Sequence, residues 1–249
     1  IFFKFEEINE ISDNDVVNLT RDLEIDIAID LTGYTGNNRS SIFSNRMAPI
    51  QINYLGYPGT SGIQNMDFII ADEMIIPKEN CKYFSEKVLY LPNCYQPNMN
   101  KRNLSDKNFK RSEFGLPDNG FVYCSFNNNY KITPHIFNSW MKVLKKVENS
   151  VLWILKTNDI AAVNLKKQAE IKGINPKRIV FADYLKNDEH LKRLSLADLC
   201  LDTFPYNAHT TASDIVRMGV PLITLAGNSF ASRVAASILK NLNMENLIT

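Results

Sequence analysis

The run LDTFPYNAHTTASD, residues 201–214, gathers residue types that handle anions. An apolar strand ends near Asp202, Pro205 and Asn207 make a turn, and a helix opens on Thr210 and Thr211 with Asp214 one turn in. The start of a helix exposes backbone N–H groups and a partial positive charge, so an anion is stabilised there. Threonine hydroxyls at the entry can donate to phosphate oxygens, and His209 beside them can donate too. An ordinary Thr N-cap, with Asp214 complementing the helix dipole, fits the same letters. A second strand-to-helix junction, FNNNYKITP at 126–134, carries Lys131 where a cation would neutralise a diphosphate. Thr133 and Pro134 suit its cap and first helical residue. Taken alone, Lys131 also suits a solvated surface lysine. In NDEHLKR, 187–193, His190 and Arg193 are three apart and share a helix face, the pattern of a site or of an exposed charged helix start. Two of the chain's three histidines thus fall at strand-to-helix loops of one half of the sequence.

The elements that must position these residues follow from short apolar runs alternating with longer amphipathic ones. Strands are expected at 25–31, 50–55, 68–71, 87–91, 121–126, 151–155, 178–181, 199–201 and 221–225. Helices are expected at 134–147, 160–172, 190–197, 211–218 and 231–239. The first of these helices sets Ile136, Trp140, Val143, Leu144 and Val147 on one face. Such alternation predicts βαβ units and mostly parallel sheets. The 151–155 run is apolar throughout, as in a strand covered on both faces. Between 96 and 113 the chain turns polar and basic, so a linker is placed at 98–113, between an N-terminal part (1–97) and a fuller C-terminal part (114–249). No internal repeat is evident.

The chain has 249 residues, 45% of them hydrophobic, enough for one large α/β domain or two small ones. Lys and Arg number 28 against 27 Asp and Glu, a formal charge of +1, without the basic surplus of a nucleic-acid binder. Cys81, Cys94, Cys124 and Cys200 are widely spaced, with no CxxC pair, and read as buried reduced thiols of a cytoplasmic protein. No run reaches the length of a membrane span. Asp13-Asn14-Asp15 mimics a metal-binding DxD, but in a polar, acidic run without strand context, and no metal is expected. The sequons at Asn18, Asn38 and Asn103 carry little meaning in such a compartment. The start, Ile1-Phe2-Phe3-Lys4-Phe5, reads as a strand entered midway, and the end stops as an apolar run begins. The chain is therefore expected to be a fragment, truncated at both ends.

Seven stretches, in order along nearly the whole chain, resemble the catalytic region of the protein O-GlcNAc transferase and Spindly family, glycosyltransferase family 41. They are DIAIDLTGYT (26–35), RMAPIQINYLGYPGTSG (46–62), FNNNYKITP (126–134), NSVLWILK (149–156), RIVFADYLKNDEHLKRLSLADLCLDT (178–203), HTTASD (209–214) and ASRVAAS (231–237). LGYPGTSG together with LDTFPY and HTT is highly specific. The resemblance implies a GT-B architecture of two Rossmann-like lobes, with the donor held mainly by the C-terminal lobe and the acceptor entering the cleft. It also implies metal-independent, inverting transfer of a sugar from a nucleotide donor to Ser or Thr hydroxyls of a protein or peptide, with no cofactor, and upstream helical (TPR) repeats in the parent protein.

Carried over position by position, Lys131 matches the lysine that contacts the donor diphosphate and stabilises the leaving nucleotide. His209, Thr210 and Thr211 match the diphosphate-binding turn, and Asp214 a ribose-contacting carboxylate. Lys131 and His209 are the catalytic pair by this likeness. His190 matches the histidine packed on the nucleotide, Arg193 lies in the same segment, and Leu185 falls where backbone meets uracil. Leu155 joins the donor set. Asn128 and Asn187 stand where animal members carry Gln and Lys. Leu55, Gly56 and Pro58 match the loop lining the sugar and acceptor side, where Gly56 and Gly59 suit close backbone approach or positive φ. His135 is expected on the surface, and no general base is assigned, the family's N-lobe histidines lying upstream of Ile1. His209 before the threonines favours UDP-GlcNAc as donor; LDTFPY resembles the Spindly branch and its GDP-fucose. A non-catalytic nucleotide-sugar-binding stretch is the further alternative.

Overall fold

The computed structural model describes residues 4–249, in two compact units, Ile1–Gln96 and Pro97–Thr249. The strand reading at the N-terminus falls mostly on Ile1 to Phe3, outside the described residues; Lys4 and Phe5 are not in a strand. All nine expected strands are present among the described residues, several of them shorter than expected.

The first unit holds a parallel sheet in the order β1 (Ile27–Asp30), β2 (Ile50–Asn53), β3 (Phe68–Ala71), β4 (Lys87–Tyr90). Helix α1 (Asp13–Asp22) was not expected, because its region is polar and acidic. It forms because Ser12 caps it, accepting from the Asp15 N–H at 3.2 Å, and because Val16 and Val17 bury against Ile42 of α2 (Ser41–Ser44). Asp13, half of the DxD look-alike, pairs with Arg39 and Ser41. Strict strand–helix alternation fails here: β2 reaches β3 by a loop, and β3 reaches β4 through a 3-10 turn at Lys78–Tyr83. Polar anchors replace the missing helices. Buried Glu86 accepts from Ser61 N–H (2.7 Å), Thr60 Oγ1 (2.6 Å) and Asn53 Nδ2 (3.2 Å), which pins the loop that follows β2.

The second unit is a five-stranded parallel sheet ordered β7 (Ile179–Ala182), β6 (Ser150–Leu155), β5 (Phe121–Ser125), β8 (Leu199–Leu201), β9 (Leu222–Ile223). Chain order runs outward from β5 in one direction to β7, then returns to the other side of β5 for β8. This is the doubly wound order, in which the carboxyl ends of the two central strands part and leave a crevice for ligand. Helices α3 (Pro134–Lys146) and α4 (Asp159–Ile171) connect β5 to β6 and β6 to β7. Thr133 caps α3 as expected, accepting from the Ile136 N–H at 3.3 Å. Phe137, Trp140, Met141 and Leu144 of α3 bury against Leu152, Ile154 and Ile179 of the sheet. Helices α5 (Asn187–Leu194), α6 (Thr210–Arg217) and α7 (Val234–Asn241) complete the unit. Helix α5 starts three residues before the expected position. Asp188 and Glu189 occupy its first turn and Lys192 and Arg193 its last, which suits the macrodipole. The stretch 98–113 belongs to this unit, tied to it by Arg102–Asp214, Lys107–Glu189 and Arg111–Asp198 pairs, the last at 2.8 Å.

Candidate functional site

Lys131 ends a 3-10 turn, Asn129–Lys131, directly after β5, and the 203–209 loop leaves the neighbouring β8. They meet at the switch point. Lys131 Nζ donates to the Asn207 carbonyl at 2.9 Å and lies 3.9 Å from the centroid of the Tyr206 ring. Burial lowers its pKa to about 8, against the opposing pull of the Asp202 carboxylate. Lys131 is thus not the free surface lysine that its local sequence also allowed.

The turn itself is rigidly held. Asp202, buried at the end of β8, accepts from the N–H groups of Thr203 and Ala208, both at 2.7 Å, and from Thr224 Oγ1 at 2.7 Å. Asn207 Nδ2 donates to the Thr203 carbonyl at 2.9 Å. His209 is the N-cap of α6 but provides no side-chain cap, so no side chain occupies the first N–H groups of Thr210 and Thr211. Its ring packs on Tyr206, with centroids 5.0 Å apart. Burial, then the charge of Lys131, lowers its pKa to about 4, so the ring is neutral at neutral pH. A carbonyl only accepts, so the 3.4 Å contact with the Ala231 carbonyl directs the Nε2 proton there. His209 therefore supplies no positive charge, and donating to a ligand would require giving up that contact.

His190 and Arg193 share a face of α5 as their spacing predicts, but their roles divide. Arg193 is 1% exposed, donates to the Asp183 carbonyl at 2.6 Å and to His190 Nδ1 at 2.9 Å, and lies over the rings of Phe126, Phe114 and Trp153. It is a buried scaffold residue, not an exposed one. Burial and the adjacent guanidinium lower the His190 pKa to about 4, so its ring is neutral, with Nδ1 accepting and Nε2 the donor. That ring stands edge-on to Phe126 at 5.3 Å. Asn128 caps the Lys131 turn, a weak contact of 3.4 Å from Tyr130 N–H. The Leu155 carbonyl is taken by Asn129 Nδ2 at 3.0 Å. Leu185 is half-buried in the β7–α5 loop, and Asn187 is exposed at the start of α5. Asp214 is paired with Arg102, and burial raises its pKa despite that partner.

The sequence alone assigns no role to Ser125, Asn127 or Ser213. Asn127 is 2% exposed, and neither atom of its amide has a hydrogen-bond partner; Ser125 Oγ, Asn207 Oδ1 and Ser213 Oγ are likewise buried and unpartnered. Buried polar atoms normally find partners, so such a group calls for an explanation. The signal lay in the position of Ser125 and Asn127 at the end of an apolar strand.

In the first unit, the close approach expected at Gly56 is present. A Cβ there would stand 2.3 Å from the Leu31 carbonyl oxygen and 2.6 Å from that of Thr32. Its cause is the chain's own backbone, and the positive φ of this loop falls instead on Leu55, at 72°. Gly59 does not have a positive φ, and a Cβ there would meet only the movable Tyr57 ring, at 3.1 Å. Pro58 lies in the same pinned loop, whose Gly59 carbonyl accepts from Asn53 Nδ2 at 3.1 Å.

The model of Glycosyl transferase family 41 matches residues 4–106 and 105–249. The chain belongs to that family. Its relatives include the probable UDP-N-acetylglucosamine--peptide N-acetylglucosaminyltransferase SEC of Arabidopsis thaliana, 38% identical over 239 residues, covering 94% of this chain and 24% of the relative. The probable enzyme of the same description named SPINDLY, from Solanum lycopersicum, is 33% identical over 97% of this chain and 26% of its own length. A mutant of the Thermobaculum terrenum O-GlcNAc transferase superposes with a TM-score of 0.87 at 25% identity, over 98% of this chain and 46% of that one. The GT-B class expected for family 41 is therefore the fold class of this chain, which spans about a quarter of its curated relatives' length. Among the described residues, no helix is long and apolar enough to cross a membrane, and no three His, Cys, Asp or Glu residues gather as a metal group.

Proposed function

We propose that this chain carries the donor-binding part of a protein O-glycosyltransferase, with UDP-GlcNAc as the donor and Ser or Thr hydroxyls of a protein or peptide as acceptors. The observation that carries the reading is the meeting of Lys131 with the 203–209 turn at the doubly wound switch point. A buried cation held against a turn that leads into a helix start without a side-chain cap is a setting suited to a polar anion. Family membership and the printed activities of the relatives support a nucleotide sugar as that anion.

The chemistry follows from charge. As the glycosidic bond breaks, negative charge grows on the diphosphate. Lys131 and the N–H groups at Thr210 and Thr211 are fixed beforehand and face that growing charge, so they stabilise the transition state more than the ground state. The hydroxyl of the acceptor attacks the anomeric carbon from the opposite face, giving inversion. No metal is needed in this scheme, because the lysine and the helix start supply the positive potential.

Competition titration of UDP against GDP tests the donor. UDP binding at least tenfold tighter is expected; tighter GDP binding would replace the reading with the GDP-fucose alternative. A transfer assay on this chain and on one extended at both ends tests turnover. Transfer by the extended form alone would make these 249 residues a binding core. Transfer by neither would overturn the enzyme reading.

A further inference from the structure

Asp202 is buried, 5% exposed, and takes no part in the chemistry above. One of its oxygens, Oδ1, closes the 203–208 loop on itself by accepting from both the Thr203 and Ala208 N–H groups. The Ala208 N–H belongs to the same peptide group as the Asn207 carbonyl, and that carbonyl accepts from Lys131 Nζ at 2.9 Å. A carboxylate and an ammonium therefore hold opposite ends of one peptide group. Each bond polarises that group in the direction that strengthens the other. Oδ2 is fixed by Thr224, itself 1% exposed.

We infer that Asp202 is a positioning residue of the donor site: it shapes the 203–208 turn through two backbone N–H groups and acts as the counter-charge that keeps Lys131 an ammonium before nucleotide binds. This rests on the diphosphate reading of the site. Burial drives both groups toward neutrality, to about 6 for Asp202 and about 8 for Lys131, and each opposes that drift in the other. The other titratable groups in this interior do not compete. His209, at the start of α6, is held neutral, and the Cys200 thiol, beside Cys124 of β5, is pushed well above its ordinary value by that partner and by burial. Between about 6 and about 8 both charges of the pair are present. Below that window Asp202 takes up a proton; above it Lys131 loses one.

The change Asp202→Asn keeps an acceptor for Thr203 and Ala208 and removes the charge, whereas Asp202→Ala removes both. In the chain labelled with 13C at the lysine ε carbons, without nucleotide, the Lys131 signal is expected to titrate about one pH unit lower in D202N than in wild type. Lys131→Arg assigns the signal. Superimposed titration curves would overturn the counter-charge. UDP affinity, measured by calorimetry across the same range, is expected to coincide for wild type and D202N on the acid side and to separate by about tenfold on the alkaline side. A uniform loss at every pH would mean that Asp202 serves architecture alone, and would overturn the charge coupling. Affinity and melting temperature of D202A equal to those of D202N would overturn the positioning role. Should D202N not fold, Thr224→Val provides the second route. It removes a donor to the charged form, so Asp202 holds its proton to higher pH and the Lys131 titration is expected to move to lower pH, toward that of D202N; an unmoved Lys131 titration would overturn the proposal. A shifted Lys131 titration with no UDP binding in any form would uphold the pair and overturn the donor reading.

Discussion

Lys131 illustrates how far a single side chain is defined by what surrounds it. The sequence places a cation after a strand; only the folded chain shows it desolvated over Tyr206 and bonded to the turn that it must serve. Desolvation makes its charge effective on a diphosphate, since little water screens it. Lys131→Ala is therefore expected to lower transfer by about 10²- to 10³-fold, the range for losing one preorganised electrostatic stabiliser. An unchanged kcat would remove it from the mechanism. The same desolvation sets the pH dependence. In the proposed reading the cationic form binds the nucleotide, and burial lowers the Lys131 pKa to about 8, so UDP affinity is expected to hold below that value and to fall as pH rises through it. Calorimetry over that range checks the sign; affinity rising with pH would contradict it. Asp214 shows the reverse case. Its likeness to family members implies a ribose contact, and in the fold its carboxylate meets Arg102, a residue 112 positions away that no local pattern could indicate.

Helix starts and strand ends carried most of what the sequence could reveal. The second unit was readable because its βαβ elements are long, apolar on one face and punctuated by Thr133-Pro134 and by the two threonines of α6. Helix α1 escaped because a capped, acidic start with only Val16 and Val17 buried leaves little periodicity to see. The turn before α6 was readable as an anion site, but the means of holding it was not. Asp202, Asn207 and Thr224 act through burial and mutual hydrogen bonds, and these emerge only once β8 and β9 lie side by side. Two substitutions test the elements themselves. Replacing Thr210 and Thr211 together by Val is expected to weaken UDP binding while the melting temperature stays near that of wild type, because Thr210 is exposed and neither hydroxyl bonds the fold. Equal affinity in the two forms would rule out the helix start. Gly56→Ala is expected to destabilise the first unit by about 1–3 kcal/mol, since the new Cβ meets backbone oxygens that are slow to yield. Denaturant unfolding followed in that unit measures it, and a cost below about 0.5 kcal/mol would mean that the loop relaxes freely.

The chain matches family 41 over its full described length and holds two parallel sheets, although it spans only a fraction of its relatives. The switch-point argument belongs to the second sheet alone. Every residue of the proposed diphosphate cradle comes from the junctions after β5 and β8, with β9 lending Thr224 from just beyond its end. A ligand that binds only the folded form stabilises it by mass action, by about 2.7 kcal/mol at a hundredfold excess over Kd. For a unit of this size the expected rise in melting temperature is about 5–10 °C. Hydrogen exchange gives the sharper reading. With UDP present, slowed exchange is expected at 126–134 and 202–213, while the β1–β2 region of the first unit keeps its rates. Protection confined to the first unit would refute the assignment of the cradle. Protection spread evenly over the chain would show general stabilisation without locating the ligand at the two junctions, and would count against the geometry argued from Lys131 and Asp202.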